Sequence, residues 1–88
     1  MTTQTDAGQQ IRATVQQCWS GILELPDDEI TDDSNFFFDG GDSLLAVELV
    51  STASTALGVE IPVDSLFLDG TFGAFVTAAV DAVSAGGA

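Results

Sequence analysis

The chain has no histidine, no lysine and no tyrosine, and Arg12 is its one basic residue. General acid and base chemistry would fall to carboxylates alone, and a hydroxyl nucleophile would have no imidazole or amine to activate it. Independent catalysis is not expected. A single cysteine, Cys18, excludes an intramolecular disulfide, and no clustered Cys, His and carboxylate spacing offers a metal site. The opening MTTQTDAGQQ has neither a basic segment nor an apolar run of the kind that directs secretion, and the longest apolar stretch, near Phe72 to Val80, is too short to span a bilayer. The composition reads as soluble and cytoplasmic.

At 88 residues the chain has room for one core, so a single domain over 1–88 is expected, ordered from about 7 to 84 with flexible ends. A hydrophobic share of 45% against 17% charged lies outside the composition of disordered chains. Fourteen carboxylates against one arginine give a net charge of −13, which repels nucleic acid and anionic membranes. A monomer is expected, and any macromolecular partner should present a basic face.

Ile11, Val15, Cys18, Trp19 and Ile22 fall on one face of a helix over about residues 7–24, with Asp6 and Gln9 spaced as a capping box. Pro26 disfavours helical backbone at Leu25 and should end it. The only cation lies nearly two turns from Cys18, so this thiol is read as a core side chain and not a reactive one. From Pro26 to Asp42 the sequence PDDEITDDSNFFFDGGD is a long loop of turn formers, anchored by at least one of Phe36, Phe37 and Phe38 in the core. Calcium-loop spacing fails there: with Gly40 in the glycine position, Phe37 and Ala46 stand where ligands belong. The carboxylates read as a solvated acidic face.

Ser43 to Gly58 forms a second helix, with Gly58 just past its end. Leu45, Ala46, Leu49, Val50, Ala53, Ala56 and Leu57 should face the core, and Leu44, Val47, Glu48, Ser51 and Thr55 should point outward. The aliphatic pair and the carboxylate beside the helix start read as a docking surface. A short third helix lies in VDSLFL, and Thr71 caps a last helix with apolar positions Phe72, Phe75, Val76, Ala79 and Val83. The tail from Ala85 to Ala88 should fray. The fold class is therefore all-α: a four-helix bundle with a long first loop and a short third helix.

Chemistry concentrates at Gly40-Gly41-Asp42-Ser43-Leu44, where the loop turns into the second helix. A helix start offers unpaired N–H groups and a positive dipole end, so a phosphodiester on Ser43 would be supported there, with the glycines giving another protein's backbone room to approach. By helix physics alone the simpler reading, that Asp42 or Ser43 is just the N-cap, comes first. An esterase nucleophile block in Gly41-Asp42-Ser43-Leu44 fails for want of histidine. A nucleophile elbow fails because Leu45 replaces its last glycine, and a P-loop lacks its Gly-Lys-Ser.

Asn35-Phe36-Phe37 followed by Gly40-Gly41-Asp42-Ser43-Leu44-Leu45-Ala46 resembles the attachment motif of peptidyl carrier proteins, of the acyl-carrier-like phosphopantetheine-binding family of nonribosomal peptide synthesis. The likeness extends through Leu57-Gly58-Val59, Ile61-Pro62, Leu66-Phe67 and Thr71, and departs from it at Asp39, where an apolar residue is frequent, and at Gly70, where a proline is. It implies the carrier fold and a covalent 4'-phosphopantetheine on Ser43, with Gly41 and Asp42 beside it. The group would come from coenzyme A through a phosphopantetheinyl transferase, and its thiol would hold an aminoacyl or acyl thioester. The implied partners are an adenylation enzyme and condensation, tailoring or thioesterase enzymes, docking on Leu44, Val47 and Glu48. The expected protein is a discrete aminoacyl carrier acting in trans. Val47-Glu48-Leu49 and Glu60-Ile61-Pro62 look like acyl-carrier blocks, so an acyl or D-alanyl carrier is the near alternative and a non-carrier helical interaction module the distant one.

Overall fold

The computed structural model describes residues 7–86. Four helices follow in order: α1 (Ala7–Leu23), α2 (Ser43–Leu57), α3 (Asp64–Leu68) and α4 (Phe72–Gly86). Among the described residues there is no strand, and one three-residue 3-10 turn, Asp27–Glu29, interrupts the long first loop. The all-α bundle expected from the periodicities is the observed fold.

The buried stripe of α1 is Ile11, Val15 and Trp19, and Cys18 and Ile22 pack partly buried along its edge. It meets Ala46, Leu49, Val50 and Ala53 of α2 and Phe72, Phe75, Val76 and Ala79 of α4. Each large side chain so buried contributes about 1.5–3 kcal/mol relative to exposure, which is what holds short helices of a small domain together. Trp19 is the centre of this core: it meets Phe36 and Phe72 edge-on, with ring centroids 5.3 and 5.2 Å away. Edge-to-face contact matches the positive rim of one ring to the negative face of the next. Burial desolvates Cys18 and pushes its thiol pKa up, as befits a packing residue.

Several boundaries differ from expectation. α1 ends at Leu23, one residue early, because Glu24 takes a left-handed backbone (φ 58°) before Pro26 can act. Leu25 N–H then donates to Ser20 O (3.1 Å) and Ser20 Oγ donates back to Leu25 O, closing the end. Ala56, expected in the core, is exposed: it lies at the flank of the arc set by Ala46, Leu49, Val50 and Ala53. α4 continues through Ala85 and Gly86, which were expected to fray. Asp6 of the proposed capping box, Gly87 and Ala88 lie outside the described residues. The expected stop at Gly58 is as anticipated: it is left-handed (φ 70°) and its N–H reaches back to Ser54 O and Thr55 O.

The long loop is fastened to the start of α4 by main-chain bonds. Phe36 N–H donates to Gly70 O and Phe72 N–H to Ser34 O, both at 2.8 Å, forming an isolated bridge between Asn35 and Thr71. Gly73 N–H donates to Asp32 O (3.0 Å), and Ala74 N–H to Thr71 Oγ1 (3.3 Å). The first amides of α4, which no helix can satisfy internally, are thus taken up by loop carbonyls and by the expected Thr71 cap. A Cβ at Gly70 would come within 3.1–3.2 Å of the Phe37 and Asn35 side chains, so the bridge is closely packed at this point. The single cation completes the seam: Arg12 Nη2 lies 2.6 Å from Asp32 Oδ1, and its guanidinium sits 5.0 Å from the Phe72 ring centroid.

Candidate functional site

Asn35 organises the approach to Ser43. Its Oδ1 accepts from Phe37 N–H (2.9 Å) and Phe38 N–H (3.2 Å), its carbonyl accepts from Asp39 N–H (3.0 Å), and Gly41 N–H donates to Phe36 O (2.9 Å). The chain therefore coils tightly through residues 35–41 and emerges at Asp42. Phe36 points inward and is fully buried, as the loop required of one phenylalanine.

The two glycines serve different ends. Gly40 has open space around it but a φ of 115°, a conformation that side chains resist. Gly41 lies flat on the Phe36 ring: a Cβ there would overlap Cε2 and Cδ2 and stand 2.8 Å from Cζ. The expectation that both glycines make room for another protein's backbone needs correcting at Gly41, whose missing side chain is occupied by the molecule's own core.

Asp42 is the N-cap of α2. Its backbone is extended and its Oδ1 accepts from Leu45 N–H at 2.9 Å, while its carbonyl accepts the first helical bond from Ala46 N–H (2.8 Å). This separates the two roles that the sequence left open between Asp42 and Ser43. Ser43 occupies the first helical position, exposed, and its hydroxyl has no hydrogen-bond partner among the described residues. The amides of Ser43 and Leu44 likewise have none and open toward the same solvent at the positive end of α2. A phosphodiester on Ser43 would fit: it needs a free hydroxyl, space and nearby donors, and this helix start has all three.

The expected docking residues Leu44, Val47 and Glu48 are all exposed on one side of α2, Leu44 at 77%. Three apolar residues that sequence reasoning passed over share this exposure: Phe38 (88%), Phe67 (50%) and Leu68 (86%). Phe67 ends an aromatic path that leads back to the core, because Phe36 meets Phe37 at 5.5 Å and Phe37 stacks on Phe67 at 5.7 Å. The signal was present in the chain: one of three consecutive phenylalanines suffices as a core anchor, and a helix turns 100° per residue, so Leu66, Phe67 and Leu68 cannot share one face. Asp39, Asp42, Asp64 and Asp69, all exposed, lie within three residues of these exposed apolar residues along the chain, and Arg12 is engaged elsewhere.

The bundle has the fold of helical carrier domains. It superposes on the solved HMG-ACPI domain from the CurA module of Lyngbya majuscula with a TM-score of 0.75 at 24% identity, covering 98% of this chain and 90% of that one. Residues 13–79 match the family described as phosphopantetheine attachment site, and the chain belongs to that family, whose members carry a covalently attached 4'-phosphopantetheine. Among curated relatives, nonribosomal peptide synthetase 30 of Fusarium vanettenii is 47% identical over 53 residues, 60% of this chain and 1% of that protein. Phosphinothricin tripeptide synthetase PhsB of Streptomyces viridochromogenes is 44% identical over 67 residues, 76% of this chain and 6% of that protein. The chain thus spans a small part of the large synthetases it resembles. Among the described residues no helix is long and apolar enough to cross a membrane.

Proposed function

We propose that Ser43 is the attachment residue and that the chain is a peptidyl (aminoacyl) carrier, serving separate adenylation, condensation, tailoring and thioesterase enzymes. The observation that carries this reading is the division of labour at the start of α2: Asp42 caps the helix, so Ser43 is left exposed with an unpaired hydroxyl. A serine needed for capping would not be free to react.

Ser43 Oγ would form the bond to phosphorus as the diphosphate link of coenzyme A breaks and the nucleotide part leaves. The chain has no histidine or lysine to receive the proton, and Asp42 beside Ser43 is engaged as the cap of α2, so the reading gives the proton to a base of the transferase. Once attached, the arm supplies a thiol that holds the cargo as a thioester. Asp42 fixes the first turn of α2, Gly41 and Phe36 seat the loop behind it, and Leu44, Val47 and Glu48 offer the partner an apolar contact beside a carboxylate. The exposed Phe38, Phe67 and Leu68 would offer such partners further apolar contacts. A net charge of −13 suits encounter with separate basic enzymes, since complementary charge raises association rates more than affinity.

Incubation with coenzyme A and a broad-specificity phosphopantetheinyl transferase should add one phosphopantetheine by intact mass to the wild type and none to Ser43→Ala, which should stay helical by circular dichroism. Modification that persists in the variant moves the site and removes the assignment.

A further inference from the structure

At the far end of α2 from Ser43 the structure has a groove of about 610 Å³ between the α2–α3 connection and the last turns of α4. Its apolar surface comes from Val59 and Pro62 on one wall and Ala78 and Ala82 on the other. One carboxylate rises from each wall, Glu60 from the connection and Asp81 from α4. Both are exposed, and neither has a hydrogen-bond or ion-pair partner among the described residues. The only cation, Arg12, is held by Asp32 and Phe72 and does not neutralise them.

Ala78 and Ala82 sit one turn apart on α4, and such small side chains keep this wall low enough for another backbone to come close. An occupant must bring apolar atoms to lie between the walls and positive charge for the carboxylate on each. We propose that the groove docks an amphipathic segment of a partner protein whose narrow apolar ridge is flanked on both sides by lysine or arginine.

Position gives such a contact a use. α2 is 15 residues long, so the groove lies about 22 Å along its axis from Ser43. A partner held there leaves Leu44, Val47 and the attachment serine free. Successive enzymes that must each approach Ser43 can therefore do so while the carrier stays tethered from behind. The geometric claim goes beyond the carrier reading and stands without it, whereas this use rests on that reading.

The probe is a synthetic amphipathic peptide with an alanine and leucine ridge bordered by lysines, titrated into the isotopically labelled full chain and followed by backbone amide NMR. Shifts should concentrate at residues 58–62 and 78–85 and leave Ser43–Glu48 in place. Ala82→Trp fills the groove and should abolish these shifts while the rest of the spectrum shows an intact fold. Glu60→Gln with Asp81→Asn, which keeps shape and removes charge, should weaken binding roughly three- to tenfold at low salt. Shifts spread evenly over the acidic surface, centred on Leu44 and Val47, or undiminished in Ala82→Trp overturn the proposal. Transferase modification of Ser43 should be unchanged in all these variants. Loss of modification in the wild type would instead remove the carrier reading and leave the groove measurement intact.

Discussion

The ring of Phe36 fills the space where residue 41 would carry a side chain, so the loop before α2 closes only because Gly41 has none. Gly41→Ala should cost about 1–3 kcal/mol in urea unfolding, the usual range for overpacking a filled core. Phe36→Leu should recover part of that loss in the double variant, because the clash is specific to the ring. Gly40→Ala, which meets no atom but carries the strained φ, should be destabilising and indifferent to residue 36. A double-mutant cycle showing no coupling between positions 36 and 41 would refute this account.

Arg12 bonds Asp32 in a half-exposed pair and lies over Phe72. Solvent screening leaves such a pair worth little, while a cation over a ring and the apolar stem beneath it keep their value. Arg12→Ala should therefore lose about 0.5–1 kcal/mol. The loss should persist at about 1 M salt, where screening acts within about 3 Å. A loss that disappears with salt would assign the contribution to Asp32.

Helix periodicity made much of this molecule legible. Ile11, Val15 and Trp19 announced the buried face of α1, and Leu44, Val47 and Glu48 the exposed face of α2, because a period of 3.6 is a property of sequence spacing alone. What escaped depends on contacts between distant segments. The bridge from Asn35 to Thr71 joins residues that no local pattern connects, and the left-handed backbone at Glu24 has no glycine to mark it. Gly41 was recognised by its place in a motif, but its reason lies in a ring five residues earlier. Which of Phe36, Phe37 and Phe38 would turn inward was set by the Asn35 turn, and periodicity does not reach into a turn.

The surface around Ser43 separates two kinds of contribution. Glu48→Lys should slow modification by a basic transferase at low salt and have little effect at high salt, as expected for steering. Leu44→Ala and Phe38→Ala should weaken the interaction at any salt, each by at most about 1.5–3 kcal/mol, the value of a fully buried apolar side chain. Modification rates measured across a salt series decide the matter, and rates unchanged in all three variants would exclude this face as the docking surface. For cargo, aminoacyl loading from a panel of amino-acid-activating enzymes with ATP is expected to exceed malonyl loading from malonyl-coenzyme A. The reverse would make the chain an acyl carrier and leave Ser43 unaffected.

Burial raises the pKa of Cys18, so its neutral thiol is favoured in the folded chain. A raised folded pKa means that this contribution to stability is complete below the unfolded value and is lost as pH climbs through the folded one. Cys18→Ala should accordingly flatten the alkaline fall in stability, measured by urea unfolding across that range. At mildly alkaline pH a maleimide or iodoacetamide should react with Cys18 far more slowly than with a free thiol such as that of an attached arm. Equal rates would mean that Cys18 is not held in the core.

Trp19 is the chain's one indole, and it is wholly buried against Phe36 from the loop and Phe72 and Phe75 from α4. Its Nε1–H has no acceptor among the described residues. The molecule therefore contains its own fluorescent gauge. Any event that lifts the loop or α4 away from α1 admits water to the ring, gives the idle donor a partner and moves the emission toward the red, so the seating of three separate segments can be followed in real time without a label.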